Sequence, residues 1–441
     1  MTMSWQLEAE APVGRRGTPV RRHRLPNGLS LLSVIDRRAP IVAFQIWYHV
    51  GSRHERPGAT GMAHLFEHLM FNQTENLPPG EFDRLVERIG GESNAATWVD
   101  WTHYRLLLPS RDLPLAVRLE AERMQHLVLD EKPVETERSV VTNERREYVE
   151  DDVDGWIDEQ LMAHAFTVHP YRWPTLGWME DIRSLPIEEM RTFYRTWYRP
   201  NNATLVCVGD FDEAALMDLV STHFGHIAPA TLPAITEFVE PEQTRERIVR
   251  APKPIATDRL LMGYKVPGQG HTDWAALEII ATILAGPASA RLYRKLVIER
   301  ESASTVDVQL TPFRDPSLIR FSVTATRGHT ADEILADIDH ELARMIEQPP
   351  LHAEVEKAKA IAETEFWNAL VDVDGKASQL GHYEVTLGDF RTLDVLAERL
   401  AEVTVDDVAR CVRTYLRSES RTIVIAEPSS NDEADDELAD D

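Results

Sequence analysis

Cysteine is nearly absent: Cys207 and Cys411 are the only two in 441 residues. Two thiols make neither a disulfide framework nor a Cys-based metal site. Cys207 lies in an apolar run and is expected to be an inert core thiol. No apolar run approaches the roughly 18 residues that a membrane-crossing helix needs. The opening residues, Met1 to Glu10, lack a basic segment and an apolar one, so no secretory signal is visible. The expected compartment is the cytoplasm, or the periplasm if a signal peptide has been removed. Positive charge is also in deficit, with 47 basic against 73 acidic residues and a formal net charge of −26. Such a surface repels a phosphate backbone, which argues against nucleic acid, and an anionic membrane is disfavoured for the same reason. Cationic peptides are attracted if the acids line a cavity.

What is present is enough apolar material for large cores. Hydrophobic residues make up 43% of the chain, and at roughly 100–200 residues per domain the length predicts two or three domains. The first 23 residues are Arg-rich and read as a loose arm. Asn27-Gly28 is a turn signal, and the apolar runs Leu29–Ile35 and Ile41–Val50 after it read as paired strands of one sheet. Helical patterns cover roughly 61–71 and 79–89, and Gly90-Gly91 stops the second. Residues 98–108 alternate with a strand period; 112–128 and 132–150 read as charged helices, and 203–208 as a short buried strand. Prolines 229, 233, 241, 252 and 254 mark a semi-rigid spacer. Beyond it the order strand (259–266), loop, apolar helix (274–284) begins again, which suggests a duplicated α+β domain. The expected division is a metal-binding N-terminal domain at 1–226, a linker at 227–254, a related domain at 255–430 and a solvated acidic tail at 431–441. That tail has seven acids and no base.

The segment His64-Leu65-Phe66-Glu67-His68 carries the most chemistry. On a helix, residues four apart share a face with Cβ atoms about 5–6 Å apart, so two imidazoles there can chelate one ion. This is the inverted zinc motif, H-x-x-E-H. Two neutral imidazoles and a carboxylate suit zinc, and a hydrolytic site keeps a fourth position for water. The ion lowers that water's pKa towards about 7, and Glu67 is the candidate base that takes its proton. The plainer alternative is two core histidines on an amphipathic helix. A third ligand must come from elsewhere. Glu137 and Glu144 are two helical turns apart, on a side marked as partly buried by Val140 and Val141. Glu144 could ligate the ion and Glu137 could hold a ligand imidazole through its second nitrogen. A helix this dense in charge has other acids that only face water, and spacing alone does not choose among them.

Taken together, these residues resemble the pitrilysin/insulinase family of zinc peptidases, in the short branch similar to the β subunit of the mitochondrial processing peptidase. The resemblance rests on Gly61–Phe71, on Gly90–Thr97 with Asp100, Thr102 and Tyr104, and on Glu137–Val141 with Glu144. His169-Pro170-Tyr171 and Val208–Phe211 add to it. It implies that His64, His68 and Glu144 hold one zinc ion per chain. Glu67 is then the general base and Glu137 a second acid needed for activity. Asn94, Ala95 and Ala96 match an edge strand that pairs with the backbone of an extended peptide, a mode of recognition that tolerates many sequences. Without the family, Asn94 reads as a residue at a strand end. The implied fold class is α+β: two related α/β-sandwich domains, each a mixed sheet with helices packed on it, joined by a linker and forming half of a clamshell. Two such chains enclose a chamber that admits peptides and unfolded segments.

One departure matters. Active members of this branch carry an Arg and a Tyr seven residues apart in the second half, and an ungapped alignment puts Val297 and Ser304 there. Tyr293 and Arg294 are nearby at the wrong spacing and read as helix surface. Losing one donor to a developing oxyanion typically costs about 2.7–4 kcal/mol. The expectation is a zinc endopeptidase subunit whose Arg/Tyr pair comes from a related chain in a heterodimer. The competing reading is a non-catalytic structural or binding subunit of a larger assembly; a scaffold, however, has no need of four polar groups on inward faces.

Overall fold

The computed structural model describes residues 4–14, 17–234 and 236–429, so the acidic tail expected at 431–441 lies outside the described residues. The chain packs as two compact units, each assembled from three stretches. The first takes residues 1–144, 173–237 and 366–395; the second takes 145–172, 238–365 and 396–441.

The first unit is built on a seven-stranded sheet. Its strands are β1 (Gln6–Val13), β2 (Thr18–Arg24), β3 (Ser30–Ile35), β4 (Ile41–Tyr48), β5 (Glu92–Thr97), β6 (Thr102–Pro109) and β7 (Ala203–Gly209), in the order β1-β2-β3-β7-β4-β6-β5. All pairs are antiparallel except β3 with β7. Two sequence expectations are corrected. The N-terminal arm is not loose: β1 and β2 pair antiparallel at the sheet edge. Its charged, solvent-facing positions hide the strand, while Val20 is buried. Nor do β3 and β4 pair directly, because β7 lies between them. The sequence ATLVCVG of β7 is buried throughout, as a central strand covered on both faces must be. Cys207 sits on it as a core thiol.

Strand β4 divides two cores. Val42, Phe44, Ile46 and Tyr48 join the apolar cluster that includes Leu65, Phe66 and Leu69. The alternate residues face the helix Val373–Leu387, where Gln45 is fully buried but satisfied. Its Nε2 donates to Asp374 Oδ1 and Ser378 Oγ, both at 3.0 Å, and its Oε1 accepts Trp47 Nε1 at 2.9 Å.

The second unit carries a five-stranded sheet of β8 (Arg247–Lys253), β9 (Arg259–Val266), β10 (Ala303–Leu310), β11 (Ser317–Ala325) and β12 (Arg421–Pro428), in the order β10-β11-β9-β12-β8. Here too one pair is parallel, β12 with β8. Substituting β8 to β12 for β3, β4, β5, β6 and β7 in turn reproduces the strand order and the single parallel pair of the first sheet. The duplication is therefore topological, and the fold is α+β with two related sheet-and-helix units. Strand β8 falls inside the stretch read as a spacer; its alternating exposure is a strand's. The apolar helix Trp274–Leu284 follows β9 as the helix bearing His64 follows β4.

Candidate metal centre

The site begins with α1 (Met62–Leu69), an eight-residue helix that buries Met62, Ala63, Leu65, Phe66 and Leu69. Phe66 packs against the rings of Phe193, Tyr194 and Tyr198 at centroid distances of 5.5, 6.0 and 5.2 Å. The Tyr104 hydroxyl donates to the Phe66 carbonyl at 3.0 Å. With that apolar face fixed, the 3.6-residue period turns His64 and His68 to one side, their ring centroids 4.9 Å apart.

The helices α2 (Glu81–Arg88) and α3 (Leu113–His126) separate this segment from α4 (Glu131–Arg145). Buried Val134 and Val141 anchor α4 in the core. Arg138 pins it further by donating to the carbonyls of Ile182 and Leu185. That anchoring brings Glu137 and Glu144 to the imidazoles. His68 Nε2 lies 3.2 Å and His64 Nε2 3.8 Å from the two Glu144 oxygens, while His68 Nδ1 lies 3.6 Å from Glu137 Oε2. One ligand atom from each of His64, His68 and Glu144 falls within 4.8 Å of the others.

These residues fit a zinc ion. Tetrahedral bonds of about 2.1 Å space ligand atoms by about 3.4 Å, which the Nε2–oxygen distances bracket. His64 Nε2, His68 Nε2 and the Glu144 oxygens are the atoms that face one another, and two imidazole nitrogens with a carboxylate are a donor set that zinc takes. The electrostatics divide the two imidazoles. Burial pushes His64 down to about 4, more than the Glu144 charge restores. Burial also works against His68, but its bonds to Glu137 and Glu144 outweigh this and raise it to about 9. The His68 bond holds the Glu137 carboxyl low. Glu144 is also held low, because its bond to His68 and the two imidazole charges exceed the effect of burial. Glu67 behaves oppositely: burial lifts its carboxyl, with Thr97 and His68 working against the lift.

Strand β5, carrying Asn94, Ala95 and Ala96, is the last strand of its sheet. It pairs with β6 on one side, and among the described residues no strand pairs with the other. α1 packs against it, and Thr97 at its end is the residue that faces Glu67. Asn94 is exposed, and its Oδ1 accepts the Ala95 N–H at 2.8 Å. In the second unit, Val297 is half-buried on a helical turn, and Ser304 is exposed on β10 with its Oγ donating to Thr324 O at 3.3 Å. Arg294 is exposed and pairs with Glu299, whereas Tyr293 is half-buried rather than on the surface. Two neighbours of the site were not singled out from the sequence. Thr97 stood only inside a longer motif, and Glu55, which meets the first turn of α1, left no spacing signal.

Two imidazoles and a carboxylate converging from separate helices, with the carboxyls of Glu67 and Glu137 alongside, make a ligand set of the zinc-hydrolase class, carried by a duplicated α+β fold. The chain belongs to the insulinase family, peptidase family M16. The model of that family matches residues 31–177, and the model described as the peptidase M16 inactive domain matches 184–362. The chain is 30% identical over 408 residues to the zinc protease PqqE of Helicobacter pylori, covering 92% of each. It is 26% identical over 414 residues to the mitochondrial-processing peptidase subunit beta of Blastocladiella emersonii, covering 92% of this chain and 88% of that one. A solved protease structure from Helicobacter pylori superposes with a TM-score of 0.90 at 29% identity, covering 93% of this chain and all of the other.

Proposed function

We propose that the chain is a zinc-dependent endopeptidase subunit that cleaves peptides or unfolded segments within a closed chamber. The convergence of His64, His68 and Glu144 within 4.8 Å, in a chain of this family, carries the reading. In it His64, His68 and Glu144 hold one zinc ion, which when bound polarises the scissile carbonyl and acidifies a water. Glu67 takes the proton of the attacking water and returns it to the leaving amine; a carboxyl raised by burial suits both halves of that task. Glu137, 3.6 Å from His68 Nδ1, holds that side of the ring so that Nε2 is the nitrogen left for the ion. The substrate backbone adds to the free edge of β5 along Asn94, Ala95 and Ala96.

With Val297 and Ser304 at the aligned Arg and Tyr positions, the chain supplies no donor pair of its own there. A related chain completes the site in a heterodimer. Those same two residues favour the second reading, a non-catalytic subunit of a larger assembly. Metal analysis and a peptide digest separate the two. The enzyme reading expects stoichiometric zinc that Glu144→Ala removes, and a Glu67→Gln variant that keeps zinc but loses cleavage in the presence of the co-purifying partner. No bound zinc, or undiminished cleavage by Glu67→Gln, would sink it. Full activity of the isolated chain would leave the peptidase standing and remove the partner.

A further inference from the structure

The start of α1 poses a problem that its own cap residue cannot solve. Gly61 adopts φ +83°, and a Cβ there would lie 2.5 Å from the Leu176 carbonyl oxygen. Glycine is therefore required, and with it the helix forfeits the side-chain cap that a Ser, Thr or Asp would provide. An eight-residue helix with open N–H groups is marginal by itself. Glu55 makes up the deficit from outside the helix. Its Oε2 accepts the Gly61 N–H at 2.8 Å and its Oε1 accepts the Ala63 N–H at 2.7 Å. Glu55 is itself held by a bond from its N–H to Ser52 O at 3.2 Å. Both carboxyl oxygens thus grip the turn that ends one residue before His64; burial lifts this carboxyl to about 8, against the N–H groups of Ala63, Gly61 and Met62, which favour its charged form.

We propose that Glu55 is a positioning residue for the metal helix: its two-pronged cap fixes the first turn of α1 and so the register in which His64 and His68 face Glu144. This rests on the metal-site reading above. The test compares wild type, Glu55→Gln and Glu55→Asp in the full chain. Zinc affinity is measured by competition with a chromophoric chelator, cobalt(II) absorption reports ligand geometry, and amide hydrogen exchange over residues 61–69 is followed in metal-free protein.

Glutamine keeps the shape but replaces one acceptor with a donor. It is expected to weaken zinc about tenfold, alter the cobalt spectrum and speed exchange in α1, with exchange in the second unit unchanged. Aspartate keeps the two-oxygen acceptor at shorter reach; it should show a smaller loss and serves as the test if the glutamine variant does not fold. Wild-type affinity and spectrum in the variants would overturn the role of Glu55 while leaving the metal site intact. Faster exchange with unchanged affinity would also overturn it, as a merely structural cap. A wild-type chain that binds no zinc would overturn both this role and the reading beneath it.

Discussion

The two imidazoles of α1 are pulled in opposite directions: His68 is raised to about 9 by its two carboxylate partners, and His64 is lowered to about 4 by burial. Those carboxylates favour a proton on His68, and a cation among the three side chains competes with that proton. A second residue shows the same balance without any metal. Glu240 accepts from the N–H groups of Thr167, Val168 and His169, each at 2.8–2.9 Å, and from Lys265 Nζ at 2.8 Å. Burial opposes its charge, but these donors hold its carboxyl at about 2. The folded pKa lies below the unfolded value, so the stabilisation is complete above about pH 4.5 and is lost as pH falls towards 2. Glu240→Gln should cost about 1–3 kcal/mol at pH 7 by urea unfolding, and its deficit against wild type should shrink at pH 3.5. A deficit independent of pH would mean that charge is not what Glu240 contributes. Of the proposed ligand residues, His64 and His68 were legible in the helix period, whereas the family resemblance, not spacing, singled out Glu144, and Glu137 with it, among the acids of their helix. Glu55 was not, because a carboxylate reaching back across a turn has no fixed spacing to recognise.

Among elements, legibility followed burial. Strands β4 and β9 and the helix Trp274–Leu284 have apolar patterns set by a core, and their sequence boundaries match the structure closely. Strands β1, β2 and β8 are edge or near-edge strands whose charged and proline residues imitate loops, so alternation alone missed them. The insertion of β7 between β3 and β4 pairs residues more than 150 positions apart, and no local pattern reports such a pairing. Nor does local pattern show that residues 366–395 pack into the first unit. There the helix Val373–Leu387 approaches the sheet through Gly381, where an added Cβ would overlap the Trp47 indole. Trp47 cannot yield easily: its ring stacks on His103 at 4.2 Å, and its Nε1 donates to Gln45. Gly381→Ala gains helix propensity worth about 1 kcal/mol, yet overpacking costs about 1–3 kcal/mol and should prevail. A net loss in urea unfolding free energy is expected, relieved by adding Trp47→Phe. A stabilised Gly381→Ala protein would show that the helix shifts outward at little cost.

For the whole molecule the dominant number is the charge. A net −26 at pH 7 is a field spread over 20108 Å² of surface, and it acts on any substrate before contact. In the proposed mode of binding, main-chain pairing along the β5 edge is indifferent to side-chain charge, and selection by charge would fall to this longer-range term. The two contributions respond differently to salt. Screening shortens from about 30 Å at 0.01 M to about 10 Å at 0.1 M, while hydrogen bonds of an added strand are barely affected. Binding to the Glu67→Gln variant isolates association from cleavage. A peptide with four lysines should lose several-fold in affinity over that salt range, mainly through a slower on-rate, whereas a neutral peptide of equal length should change by less than about twofold. Equal salt dependence for both peptides would show that the acidic residues lie where no substrate passes, and that their excess serves solubility alone.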